Sequence, residues 1–192
     1  MKSLSFSIIP TLLLLITSCN QKQNYQYDTF TVDTTLSKQL VFRLMDNEYE
    51  LTNPFDKDTI PRKTTSTVTI AVLKDSHDRM YTMDKLRCKA SLKKDTLRIT
   101  LGYADGFTGA GISVRAAGNT FTTLPYQFYD VITGEKEPII HIEKQKLMLN
   151  KAAYQVGDSL YGHLYLRTID TDSVKKYASG FFRTVVTKEN KG

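Results

Sequence analysis

The chain has 192 residues, 26 Lys and Arg against 20 Asp and Glu, two cysteines and no tryptophan. That length suits one domain, since domains typically run about 100–200 residues, and it is enough to bury a substantial core. The net charge is +6, but the cations are scattered among acids. That excludes the clustered basic face of a nucleic-acid binder and leaves only weak attraction to an anionic surface.

The N-terminus opens Met1-Lys2, and residues 4–16 are then mostly apolar and uncharged. Such a run suits a signal sequence and is too short for a membrane span, which needs about 20 apolar residues. It ends Leu15-Ile16-Thr17-Ser18-Cys19. These residues resemble the lipobox of bacterial lipoproteins: a branched apolar residue, two small residues, then Cys. The resemblance implies that residues 1–18 are a signal peptide, that Cys19 receives diacylglycerol and that the new amine is acylated. Buried acyl chains contribute about 0.8 kcal/mol per CH2, so several chains make a firm anchor. Removing residues 1–18 takes away one charge, Lys2, and leaves 174 residues at +5. Residues 19–28 then form a lipidated cysteine and polar tether. Asn20 rather than Asp follows Cys19, and residues 20–27 carry no acid. By resemblance to other lipoproteins this implies the outer membrane facing the periplasm, with surface exposure the alternative.

Cys88 is then the only cysteine left. Leu86, Cys88 and Ala90 share one face of an extended segment, which predicts a buried free thiol rather than an intermolecular bond.

Residues 29–192 read as one all-β domain. Residues 29–32 are a short β-rich run and 40–44 a compact apolar strand. Residues 53–58 are a loop. Residues 65–73 alternate, with Val68, Ile70 and Val72 on one face, the mark of a half-buried strand. After a polar turn at 74–79, residues 86–90 and 97–101 form a hairpin through Lys93-Lys94-Asp95. Residues 102–111 hold four glycines with Tyr103 and Phe107 between them and read as a loop. Further strands follow at 112–114 and 121–132, with turns at Gly118-Asn119 and 132–135. Residues 139–142 and 146–149 are strand-like. Gly157-Asp158 is a turn, and 160–166 alternate. Asp170 could start a helical turn reaching Tyr177, and 181–186 make the last strand. Nine or ten short strands at such spacing predict an antiparallel β-sandwich with little helix, or a closed β-barrel.

Ala153-Tyr154-Gln155-Val156-Gly157-Asp158-Ser159-Leu160 resembles the hairpin of bacterial immunoglobulin-like domains, where Tyr precedes a Gly-Asp turn. Ser179-Gly180-Phe181-Phe182-Arg183-Thr184-Val185 resembles the closing strand of small Bacteroidota lipoproteins of unknown function. Both imply an immunoglobulin-like sandwich and no particular activity.

The residues give no catalytic constellation. His77, His141 and His163 sit apart, there is no G-x-S-x-G, and no spacing gathers metal ligands. Catalytic residues, metals and cofactors are therefore expected to be absent. The informative pattern is on the strand from Leu160. Leu160, Leu164 and Leu166 share one face, and Tyr161, His163, Tyr165 and Arg167 share the other. Tyr and Arg favour interface cores. The second candidate is the glycine segment, with Tyr103 and Phe107. The expected function is a lipid-anchored, non-enzymatic envelope module that engages a protein partner. A sugar ligand is less favoured, since Trp, the largest stacking surface, is missing. The rivals are a hydrolase of envelope polymers, which predicts a cleft with converging titratable groups, and a lipocalin-like carrier, which predicts an apolar cavity.

Overall fold

The computed structural model describes residues 25–50, 62–74, 79–84, 86–104, 107–129 and 138–189. The expected signal segment, Cys19 and most of the expected tether lie outside them, as do the expected loop at 53–58 and the turns expected around 75–78 and 132–135.

The domain is all-β, with eleven strands among the described residues arranged as two sheets. The first sheet runs β1 (Asp28–Thr29), β8 (Thr120–Tyr129), β7 (Thr108–Ala117), β6 (Thr96–Ala104) and β5 (Arg87–Lys93), all antiparallel. The second runs β2 (Thr31–Val32), β9 (Ile140–Leu149), β10 (Ser159–Asp170), β11 (Lys175–Lys188), β3 (Thr69–Lys74) and β4 (Arg79–Met83). β11 belongs to both. Lys175 to Val185 pairs with β10, and Val186 to Lys188 continues into the first sheet, parallel to β5.

The opposite margins of the two sheets meet at one short stretch. β1 is antiparallel to β8 and β2, two residues later, is parallel to β9. The segment from Asp28 to Val32 is therefore a seam between the sheets, and the sandwich is nearly closed into a barrel. Gln145 fastens it. Its Oε1 accepts bonds from Thr123 N (3.0 Å) and Thr123 Oγ1 (2.7 Å), and its Nε2 donates to the Gln26 carbonyl (3.0 Å). Beyond the seam the two edges carry features that discourage strand pairing. Thr123 N points to the β9 side, so the alternation of strand hydrogen bonds turns Pro125, which has no N–H, the same way. On β9 the pairing with β10 is irregular around Glu143, and Lys144 and Lys146 are exposed. Proline, bulges and charge blunt a sheet edge.

The core is the inward face of each strand. Leu160, Leu164 and Leu166 on β10 meet Ile99 and Leu101 on β6, Val114 on β7, Phe121 on β8 and Phe182 on β11 in one buried cluster. Full burial of such side chains stabilises by about 1.5–3 kcal/mol each. The β5–β6 hairpin turns at Lys94–Asp95 and the β7–β8 hairpin at Gly118–Asn119, as expected. Val68 and Ile70 are buried, and Cys88 is a buried free thiol whose pKa burial pushes well up.

Three expectations are corrected. Residues 40–44 are helical, in α1 (Leu40–Met45). An apolar run this short fits either a strand or a helix. The turn before it decides, because Asp33 Oδ1 accepts bonds from Thr35 N and Oγ1 and leads into a 3-10 turn at Leu36–Lys38. Phe42 and Met45 then fall on one side, buried together with Leu36. Second, no helix follows Asp170. Its carboxylate accepts bonds from Asp172 N and Val174 N, closing a tight turn directly into β11. Third, most of residues 102–111 belong to strands, because β6 runs to Ala104 and β7 starts at Thr108.

Candidate partner-binding face

β10 alternates as its pattern requires. Leu160, Leu164 and Leu166 are buried, and Tyr161, His163, Tyr165 and Arg167 point to the outer face of the second sheet, each partly covered. Cross-strand pairing surrounds them. His163 is opposite Phe181 and Met148, Tyr165 opposite Ser179 and Lys146, and Arg167 opposite Tyr177 and Lys144.

The stripe is divided into two halves by α1. Phe42 packs edge-on against Tyr161 at 5.0 Å between ring centroids and against Phe181 at 5.8 Å. His163 lies 4.6 Å from the Phe181 ring, and burial holds its pKa below the usual imidazole range. Arg183, opposite Tyr161, fixes the helix in place. Its Nη1 donates to the Phe42 carbonyl (3.1 Å) and to Asp46 Oδ1 (2.7 Å), while Nε and Nη2 reach the Thr64 carbonyl. The same guanidinium holds the Asp46 carboxyl below its ordinary pKa. Tyr161 is thus a packing residue under a helix that residue alternation alone could not reveal.

The other half lies beyond this cluster. Arg167 pairs with Glu143 at 2.9 Å, and Lys144 Nζ stands 5.9 Å from the centre of the Tyr165 ring. Tyr177 completes the row beside Arg167, and Lys144 and Lys146 are exposed on β9. Aromatic side chains and Arg are the types enriched in protein interfaces. Tyr177 was the member missed at the level of sequence. It lies where Asp170 predicts a helical turn, and only its register with Arg167 brings it to the face.

Tyr103 and Phe107 do not join this face. Both are exposed near the β6–β7 turn of the first sheet, as is Phe128 on β8. Phe128 lies over Gly109 and the Tyr126 hydroxyl over Gly102, filling the places of their missing side chains, while at Gly111 that place is crowded first by the Leu101 carbonyl and the Gly102 backbone and then by the Tyr126 hydroxyl. Gly102, Gly109 and Gly111 lie on strands beneath or beside cross-strand rings. A signal for this was present: Gly109 and Gly111, two apart, match Tyr126 and Phe128, two apart on the next strand.

Among the described residues no three His, Cys, Asp or Glu side chains come together as a metal site would need. In comparisons with known proteins, no family model, curated protein or solved structure matches the chain.

Proposed function

We propose that this protein is a lipid-anchored module of the bacterial cell envelope, held to the membrane through Cys19, that binds a protein partner with the open half of its outer face. Tyr165, Arg167 and Tyr177 are the central contacts, and Lys144 and Lys146 form a basic rim. The observation that carries the partner site is the division of the β10 stripe. α1 covers Tyr161 and leaves Tyr165 and Arg167 beyond its cover, beside the exposed Lys144 and Lys146. Tyr and Arg are the residues on which interface energy concentrates. The rim favours a partner with an acidic surface. The anchor rests on the lipobox-like Ile16-Thr17-Ser18-Cys19, and the compartment proposed with it is the periplasmic side of the outer membrane.

Crosslinking and affinity capture of the tagged full-length protein from native membranes tests the partner site. The expected result is a reproducible protein partner, lost on Tyr165→Ala and on Arg167→Ala and retained on Tyr103→Ala. Equal capture by all three variants would sink the proposed face. The anchor is tested by labelled palmitate, which the native chain incorporates and Cys19→Ala does not.

A further inference from the structure

We propose that the outer side of the seam, together with the outward side of α1, rests on the bilayer to which the chain is tethered. The proposal builds on the lipid anchor proposed above.

Among the described residues, six of the eleven exposed large hydrophobic side chains lie between Tyr25 and Tyr49. Four of them, Tyr25, Tyr27, Leu40 and Leu44, stand just before the seam or on α1. Thr29 and Thr31 are exposed along the seam and Tyr25 and Tyr27 just before it, while Phe30 packs against the core. Thr31 is opposite Met148, and Met148 packs in the α1 cluster with Phe42 and Tyr161. The outward row of the seam therefore runs directly into the place where α1 sits. There the helix shows a second apolar side. Phe42 and Met45 face the sheet, but Leu40 and Leu44, four apart, are 63% and 54% exposed. A helix apolar on both sides is expected to be covered on both.

Chain length identifies what covers it. Five residues separate Cys19 from Tyr25, and the six residue steps between them reach at most about 21 Å even when fully extended. A lipid-bearing Cys19 thus holds Tyr25 close to the headgroups, and the seam and α1 follow directly. Tyrosines belong at that interface, with an apolar body and a polar tip. The contact is apolar rather than electrostatic. Between residues 25 and 50, Lys38 and Arg43 are outnumbered by Asp28, Asp33, Asp46, Glu48 and Glu50. It should therefore survive high salt and need no anionic lipid. It also keeps the open half of the β10 stripe within reach of a partner that is itself held at the membrane.

The test uses the full-length lipoprotein, reconstituted in zwitterionic vesicles that carry a lipid-borne quencher. A fluorophore is placed on Leu44→Cys, Tyr27→Cys or, on the outer face of the first sheet, Lys89→Cys. Cys88 is buried and does not compete for label. The expected result is severalfold stronger quenching at positions 44 and 27 than at 89, unchanged by salt. A Leu40→Ser, Leu44→Ser double variant, altered only at exposed side chains, should keep its melting temperature and lose most of the quenching at position 27. Equal weak quenching at all three positions, in protein that still carries palmitate, would overturn the membrane contact and leave the anchor standing. Shielding of position 44 by protein rather than lipid would overturn it too. Absence of palmitate from a protein that does not float with vesicles would overturn anchor and contact together.

Discussion

Phe182 stands directly opposite Gly162 on neighbouring strands, and its ring fills the place where a side chain on Gly162 would be. Both are buried at the centre of the core. Gly162→Ala should therefore overpack the interior, at a cost of about 1–3 kcal/mol. Urea unfolding would show this as a lower midpoint with little change in slope. Adding Phe182→Leu should recover part of the loss, because it vacates the space the new methyl needs. A Gly162→Ala protein as stable as the native one would mean that the ring moves aside freely.

Gln145 makes a second prediction. Its buried amide serves Thr123 N, Thr123 Oγ1 and the Gln26 carbonyl together. Gln145→Leu keeps the volume roughly and strands these partners, which should cost about 1–3 kcal/mol. The loss should be local first, since the seam pairs through only a few residues on each side. Amide hydrogen exchange should accelerate at Phe30 and Thr123 while Ile99 and Leu164 stay protected. Uniform acceleration across the domain would show that the seam and the core open as one unit.

Arg183 ties α1 to the sheet through two carbonyls and the Asp46 carboxylate. Arg183→Ala should cost about 2 kcal/mol, in the range for hydrogen bonds to charged groups. It should also loosen α1 and expose Tyr161 and Phe181. Arg183→Lys should recover little, because one ammonium cannot reproduce the planar fork that reaches Thr64, Phe42 and Asp46 together. Tyrosine fluorescence quenching by a soluble quencher, compared across the two variants, reads the uncovering directly.

His163 gives a pH prediction. Burial beside Phe181 lowers its pKa in the folded state below the ordinary value of 6.5. The unfolded chain therefore binds the proton more readily than the folded one, and acid favours unfolding. The stability contributed by neutral His163 is fully present above about pH 6.5 and declines as the pH falls below that value, until the folded pKa is passed. Asp33, Asp46 and Asp158 have lowered pKa values, so their contributions are lost only in stronger acid. His163→Gln should flatten the stability profile just below pH 6.5 and leave the steeper acid limb unchanged. An unaltered profile in that window would show that another group governs it.

Much of the fold is legible in particular residues. The alternation of Leu160, Leu164 and Leu166 with Tyr161, His163 and Tyr165 places each set on its own face, because strand side chains have a period of two. Lys94–Asp95 and Gly118–Asn119 mark their hairpins through local turn chemistry. The run from Leu40 to Met45 was ambiguous, since both of its sides are apolar. Asp170 likewise serves helix caps and tight turns equally well.

The β class, the hairpins, the buried Cys88 and the two faces of β10 follow from the sequence alone, because each depends on neighbours within a few residues. The tertiary structure decided what depends on distant partners. It joined the sheets through β11, closed them at the seam and set Gln145 across it. It laid α1 over Tyr161, which turned one half of the outward stripe into packing and left Tyr165, Arg167 and Tyr177 beyond its cover. Register and cover are pairwise properties of segments more than a hundred residues apart, as with Phe42 and Arg183, and no local pattern encodes which pairs will meet.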